Sequence, residues 1–209
     1  MIIISHRGYW KNQEEKNKQI SFDRSFKLGY GTETDIRDYM GELVISHDIA
    51  DEDSLKIQDF FRIYNSYSNP NLTLALNIKS DGLQAKLKQK LIEFGIENYF
   101  VFDMSIPDTL GYIRNNVVSF TRQSEYEPLP AFIEECQGIW LDAFESIWYD
   151  DKVLLNHLQN GKQVAIVSPE LHKRSHLELW EYLRSNNYHE LDNVVLCTDL
   201  PEDATEFFK

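Results

Sequence analysis

Apolar runs of four to seven residues alternate along the chain with longer segments whose apolar positions recur every three or four residues. The first kind reads as buried strand, the second as amphipathic helix. Strand-like runs span 2–5, 32–36, 72–78, 99–103, 117–120, 138–142, 163–167 and 193–197. Helical patterns lie between them at 21–28, 54–64, 83–94, 107–115, 152–159 and 177–186, with Gly29, Gly95 and Gly161 as stops. A shorter helix is expected within 128–135. No linker-like segment interrupts the succession, so one domain over 1–209 is expected.

Eight strands alternating with helices predict an α/β fold, a single compact (β/α)8 TIM barrel without a large inserted domain. A doubly wound open sheet is the alternative, but no glycine-rich dinucleotide fingerprint follows a strand. In a barrel, chemistry collects at the carboxyl ends of the strands. His6 and Arg7 sit just past the β-branched run Ile2-Ile3-Ile4, and Gly8 lets the chain turn there. Glu33 and Asp35 are at i and i+2, which on a strand places both carboxylates on one face, about 6 to 7 Å apart. Two such hard oxygen ligands can share one Mg²⁺ or Ca²⁺. If Asp38 pairs with Glu42 around a three-residue loop ending in Gly41, His47 falls opposite Glu33 and joins that face. A loop one residue shorter would turn His47 away.

Charge narrows the partners. With 34 acidic against 21 basic residues the chain carries −13, which argues against a nucleic acid. A small anionic substrate needs a local cation together with Arg7 and Lys79 to overcome the same field. The two cysteines, Cys136 and Cys197, have no paired ligand spacing, so a reduced, cytoplasmic setting is expected. Nothing approaches the roughly 20 apolar residues of a membrane span, and Met1 leads directly into the first strand-like run. No stable membrane insertion is expected.

The strings HRG (His6 to Gly8), ETD (Glu33 to Asp35), GELVISHD (Gly41 to Asp48) and NIK (Asn77 to Lys79), in this order and spacing, resemble the glycerophosphodiester phosphodiesterase family, within the phospholipase-C-like phosphodiesterases. The match is strongest over the first eighty or so residues. The resemblance implies His6 and His47 as acid and base. It also implies a divalent cation, Mg²⁺ or Ca²⁺, held by Glu33, Asp35 and Asn77, and a glycerophosphodiester-like small molecule bound by Arg7 and Lys79. Two departures stand out. Asn77 occupies the place of a third acidic ligand and brings an amide oxygen without charge. The Pro-Glu-Asn-Thr string usual after HRG is replaced by Glu14-Glu15-Lys16-Asn17-Lys18, where only Asn17 has a counterpart. The same inventory without turnover describes a barrel that binds a phosphorylated ligand.

Arg122, after the fifth strand-like run, reads either as a substrate phosphate clamp or as a salt-bridge partner of Glu125 or Glu127. His172 follows the seventh run, where barrels often bind phosphate. His157 and His176 fall on or beside helical patterns and read as surface residues, and His189 as structural.

Overall fold

The computed structural model describes residues 1–209, and its internal contacts group them into two units: Ser5–Ser119, and Met1–Ile4 with Phe120–Lys209. The architecture is mixed α/β, with ten strands and seven α-helices.

The first unit, Ser5–Ser119, takes the end of β1 (Ile2–His6) and continues through α1 (Gln19–Lys27), β2 (Gly31–Tyr39), β3 (Glu42–Ile45), β4 (Leu55–Lys56), α2 (Ile57–Ser66), β5 (Leu74–Ile78), α3 (Gln84–Phe94), β6 (Tyr99–Phe102) and α4 (Ile106–Arg114). β2 runs parallel to β5, and β5 to β6, whereas β2, β3 and β4 form an antiparallel meander. α2 shows why the helices dock. Ile57, Phe60, Phe61 and Tyr64 recur at helical spacing and are all buried. Phe60 meets Phe22 of α1 edge-on, with ring centroids 4.6 Å apart.

The second unit holds β7 (Phe120–Gln123), β8 (Gly138–Leu141), α5 (Asp151–Gln159), β9 (Gln163–Val167), α6 (Leu177–Ser185), β10 (Val194–Thr198) and α7 (Pro201–Phe207). β7, β8, β9 and β10 are parallel in that order. Its core gathers the aliphatic faces of β8, β9 and β10 under Leu179, Trp180 and Leu183 of α6.

Several expectations need correction. The β2–β3 turn is the shorter one: Tyr39 pairs with Glu42 and Asp38 with Leu43, leaving only Met40 and Gly41 in the loop. Both carry positive φ, 49° and 84°, the backbone that matches the twist of a two-residue hairpin. Extended straight, this register would set His47 opposite Thr34, on the wrong face. The chain avoids that by leaving the strand at Ser46 and bending at His47. Residues 128–135 form turns rather than a helix, because Pro128 and Pro130 interrupt the amide donors a helix needs. β7 starts at Phe120 rather than Val117, whose amide is used to close the end of α4 on Tyr112. His157 is buried, not on the surface, with Nε2 2.6 Å from Gln123 Oε1. α7, unforeseen, opens with Pro201 at its first position, where a missing amide is harmless.

Candidate active site

At the end of β1 the backbone enters the left-handed region twice, at Arg7 (φ 60°) and Gly8 (φ 80°). Gly8 has no substitute there, since a Cβ would lie 2.3 Å from Ser21 Oγ. Arg7 adopts this conformation with a full side chain, at about 1–2 kcal/mol for an L-residue. It is held by its amide, which donates to the Glu33 carbonyl (2.9 Å), and by its carbonyl, which accepts from Asn17 N (2.9 Å). The outcome is a guanidinium brought to β2, with Arg7 Nε 3.1 Å from Asp35 Oδ2.

β2 supplies the acids. Glu33 and Asp35 alternate onto one face with Arg37, and both carboxylates are buried. Asp35 is held on three sides: Asn17 Nδ2 donates to its Oδ2 at 2.8 Å, Arg7 approaches the same oxygen, and Lys79 Nζ lies 3.5 Å from Oδ1. Lys79 also reaches Asp103 Oδ2 at 3.7 Å. Glu33 has weaker support, with His6 Nε2 4.0 Å from its Oε2. Burial and then the charge of Asp35 push the Glu33 carboxyl up to about 7, while His6, Arg7 and Lys79 pull the other way. A buried acid so displaced, beside an imidazole and two cations, makes this patch the candidate functional site of the first unit.

Asn77 of β5 pairs directly with Asp35 of β2, which puts its amide on the face of the carboxylates. Three buried oxygens in this patch lack a hydrogen-bond donor: Glu33 Oε2, Asp35 Oδ1 and Asn77 Oδ1. Buried acceptors are normally satisfied. No group of three or more His, Cys, Asp or Glu side chains is placed to hold a metal, and the third protein oxygen on this face is the Asn77 amide. An all-oxygen set of two carboxylates and an amide fits a hard cation, with less charge than three acids offer.

His47 comes to the site by a bend. Arg37 Nη2 donates to its carbonyl at 3.1 Å, and its Nδ1 lies 2.9 Å from Asp48 Oδ1 rather than on Glu33 or Asp35. The ring lines a cavity of about 370 Å³ that Arg7 and Asn17 also line. His6, Arg7, Glu33, Asp35 and Lys79 are thus joined by short contacts, Asn77 by strand register, and His47 by a shared cavity with Arg7. Arg122 lies in the second unit, on β7, with its guanidinium bound to Glu127, the salt-bridge alternative.

Two members of the site carry no assignment from the sequence. Asn17, buried and with φ 57°, accepts from Thr34 Oγ1 (2.8 Å) while holding Asp35. Its only signal is its place in the segment after HRG. Asp103, at the end of β6 with φ 71°, is visible in the sequence only as one more charged strand end.

No protein-family model and no curated protein sequence matches the chain. Solved structures do. A glycerophosphodiester phosphodiesterase from Agrobacterium tumefaciens superposes with a TM-score of 0.73 at 12% identity, covering 99% of this chain and 98% of that one. One from Thermotoga maritima gives 0.64 at 15%, with the same coverages. A glycerophosphoryl diester phosphodiesterase from Parabacteroides distasonis gives 0.69 at 13%, over 99% of this chain and 85% of that one. The chain has the fold of these enzymes, and the family resemblance read from its motifs is matched by its architecture.

Proposed function

We propose that this chain, which shares its fold with glycerophosphodiester phosphodiesterases, hydrolyses a glycerophosphodiester-like small molecule to an alcohol and a glycerol phosphate or cyclic phosphate. The observation that carries the reading is the grouping of Arg7 and Lys79 around buried Asp35, beside Glu33 and His6. The single-domain (β/α)8 barrel and a cytoplasmic setting belong to the same reading. No helix is long and apolar enough to cross a membrane, which agrees with a dissolved substrate.

In this mechanism Arg7 and Lys79 hold the non-bridging phosphoryl oxygens and take up the charge that grows on them. One of His6 and His47 removes the proton of the attacking hydroxyl, and the other protonates the departing alcohol oxygen. Glu33 steadies the imidazole of His6. Asn17 keeps Asp35 turned toward the cations. Glu33, Asp35 and the Asn77 carbonyl would hold a Mg²⁺ or Ca²⁺ ion, which when bound supplies Lewis-acid stabilisation of the phosphoryl oxygens. Arg122 enters only as a further phosphate contact, if substrate draws it from Glu127.

Release of alcohol and glycerol phosphate from a panel of glycerophosphodiesters, with Mg²⁺, Mn²⁺, Ca²⁺ or a chelator, tests the reading. Turnover that disappears in His6→Ala supports it. A purified, folded protein inert on the whole panel with every ion overturns it in favour of a non-catalytic barrel that binds a phosphorylated ligand, the reading favoured by Asn77. Thermal stability in the same ions gives a readout apart from activity. A cation-dependent rise in Tm that grows in Asn77→Asp supports an ion at β2 and β5, and an absent rise in both removes it.

A further inference from the structure

Lys79 is fixed at its backbone and shared at its tip. It follows β5 directly, and its amide donates to the Ile36 carbonyl of β2 at 2.9 Å. Its ammonium lies 3.5 Å from Asp35 Oδ1 and 3.7 Å from Asp103 Oδ2, longer on both sides than the about 2.7–2.9 Å of a charge-assisted hydrogen bond. Asp35 Oδ1 accordingly has no hydrogen-bond donor, although Asp35 is fully buried. Asp103 reaches this point by register and by a turn. Asn77 pairs with Phe102 across β5 and β6, so the residue after Phe102 is level with the end of β5, and there the backbone turns left-handed at φ 71°. Aspartate is among the few residues besides glycine that tolerate this conformation.

Two carboxylates thus compete for one ammonium. With Asp35 alone to face, Nζ would close on the open Oδ1, and its charge would be neutralised inside the protein. We propose that Asp103 is a positioning residue for the phosphate site: its carboxylate holds Lys79 off Asp35, which keeps the ammonium available to a phosphoryl oxygen and leaves Asp35 Oδ1 open. The inference rests on the proposed function for its phosphate site, held by Arg7 and Lys79. Asp103 acts through Lys79 and takes no part in proton transfer.

Calorimetric binding of glycerol 3-phosphate to wild type, Asp103→Asn, Lys79→Met and the double variant tests this without needing turnover. Asparagine keeps the size and tolerates the left-handed backbone, so only charge is removed. By field alone, losing a negative charge beside an anion site would tighten binding, so the sign of the change separates the two roles. Asp103→Asn is expected to weaken binding about tenfold, near the lower end of what a hydrogen bond to a charged group yields, and to weaken it no further in the Lys79→Met background. Unchanged or tighter binding in Asp103→Asn, an equal loss with and without Lys79, or a wild type that does not bind glycerol 3-phosphate overturns the proposal. If Lys79→Met binds nothing, the sign in Asp103→Asn decides. Should Asp103→Asn fail to fold, Asp103→Gly, suited to φ 71°, takes its place. Failure of the hydrolase reading looks different. A chain inert on every glycerophosphodiester that still shows this coupling keeps Asp103 in its role within a phosphate-binding barrel, and a chain that turns over without the coupling loses the role of Asp103 alone.

Discussion

Both units carry acidic side chains on or just after their parallel strands, yet the carboxylates do different things. In the second unit Glu170 accepts from Ser168 Oγ, Thr198 Oγ1 and the amide of Asp199. Asp142 accepts from the amide of Ala143 and lies 2.7 Å from His172 Nε2, and Glu125 accepts from the amides of Phe144 and Glu145. These acids tie loops to strands. In the first unit Glu33 and Asp35 each keep a buried oxygen without a hydrogen-bond donor, next to the equally open carbonyl of Asn77. Acids on or just after parallel strands are therefore common to both units, and spare acceptor capacity near fixed cations is what sets Glu33 and Asp35 apart from the bracing acids of the second unit.

That contrast is broken most directly by exchanging which histidine is lost. His6→Ala and His47→Ala are each expected to cut turnover at least about a hundredfold, the loss of a general acid or base. His172→Ala, the counterpart in the second unit, should leave kcat near wild type and lower Tm instead. Steady-state kinetics and thermal melts on the three variants decide it, and a His172→Ala enzyme as impaired as His6→Ala would erase the distinction.

A smaller effect is expected at Asn17. Replacing it with alanine leaves Asp35 Oδ2 and Thr34 Oγ1 short of a partner, at about 1–3 kcal/mol of stability for a buried polar group. Because Asn17 acts through Asp35, Asn17→Ala should also raise KM for the phosphodiester, and Asn17→Asp should not restore it, since a carboxylate facing Asp35 repels. Urea melts and a comparison of KM against kcat read both.

The smallest expected effect concerns pH. The Glu33 carboxyl titrates higher in the folded chain than in the unfolded one, so the folded state binds the extra proton. Its contribution to stability is therefore whole below about 4.5 and is lost as pH rises through about 7. In chelator the Tm of the wild type should fall across this window relative to Glu33→Gln. Divalent cation should narrow the gap by favouring the ionised acid. Parallel Tm profiles for the two proteins would place Glu33 in a setting no more special than that of Glu170.

What the sequence reveals, and what it hides, follows from the range of the forces involved. Glu33 and Asp35 are legible because strand alternation is local, and Arg7 because Gly8 marks a turn after an apolar run. Asp35 opposite Asn77 is legible only as a pair of motifs, since parallel register is settled by packing. Asn17 stays hidden because its left-handed backbone and buried amide arise from contacts with Arg7 and Asp35, 10 and 18 residues away. His47 is reached from the sequence by a register whose loop is one residue too long. The bend after Ile45, clasped by Arg37, brings the ring to the cavity where strand geometry alone would carry it off. His157 reads wrongly as a surface residue because a helix shows its polar face in sequence but not the Gln123 partner that buries it.

The clasp on His47 sets the two imidazoles apart in mechanical terms. His6 belongs to a strand in the sheet and moves only when the sheet does. His47 rides on a bend whose carbonyl is gripped by Arg37 and whose ring is steadied by Asp48. Local opening of that bend needs far less free energy than melting β1 or β2. On the proposed mechanism, opening of that bend removes one of the two histidines while the rest of the first unit stays folded, so turnover should fall on warming before the fold melts.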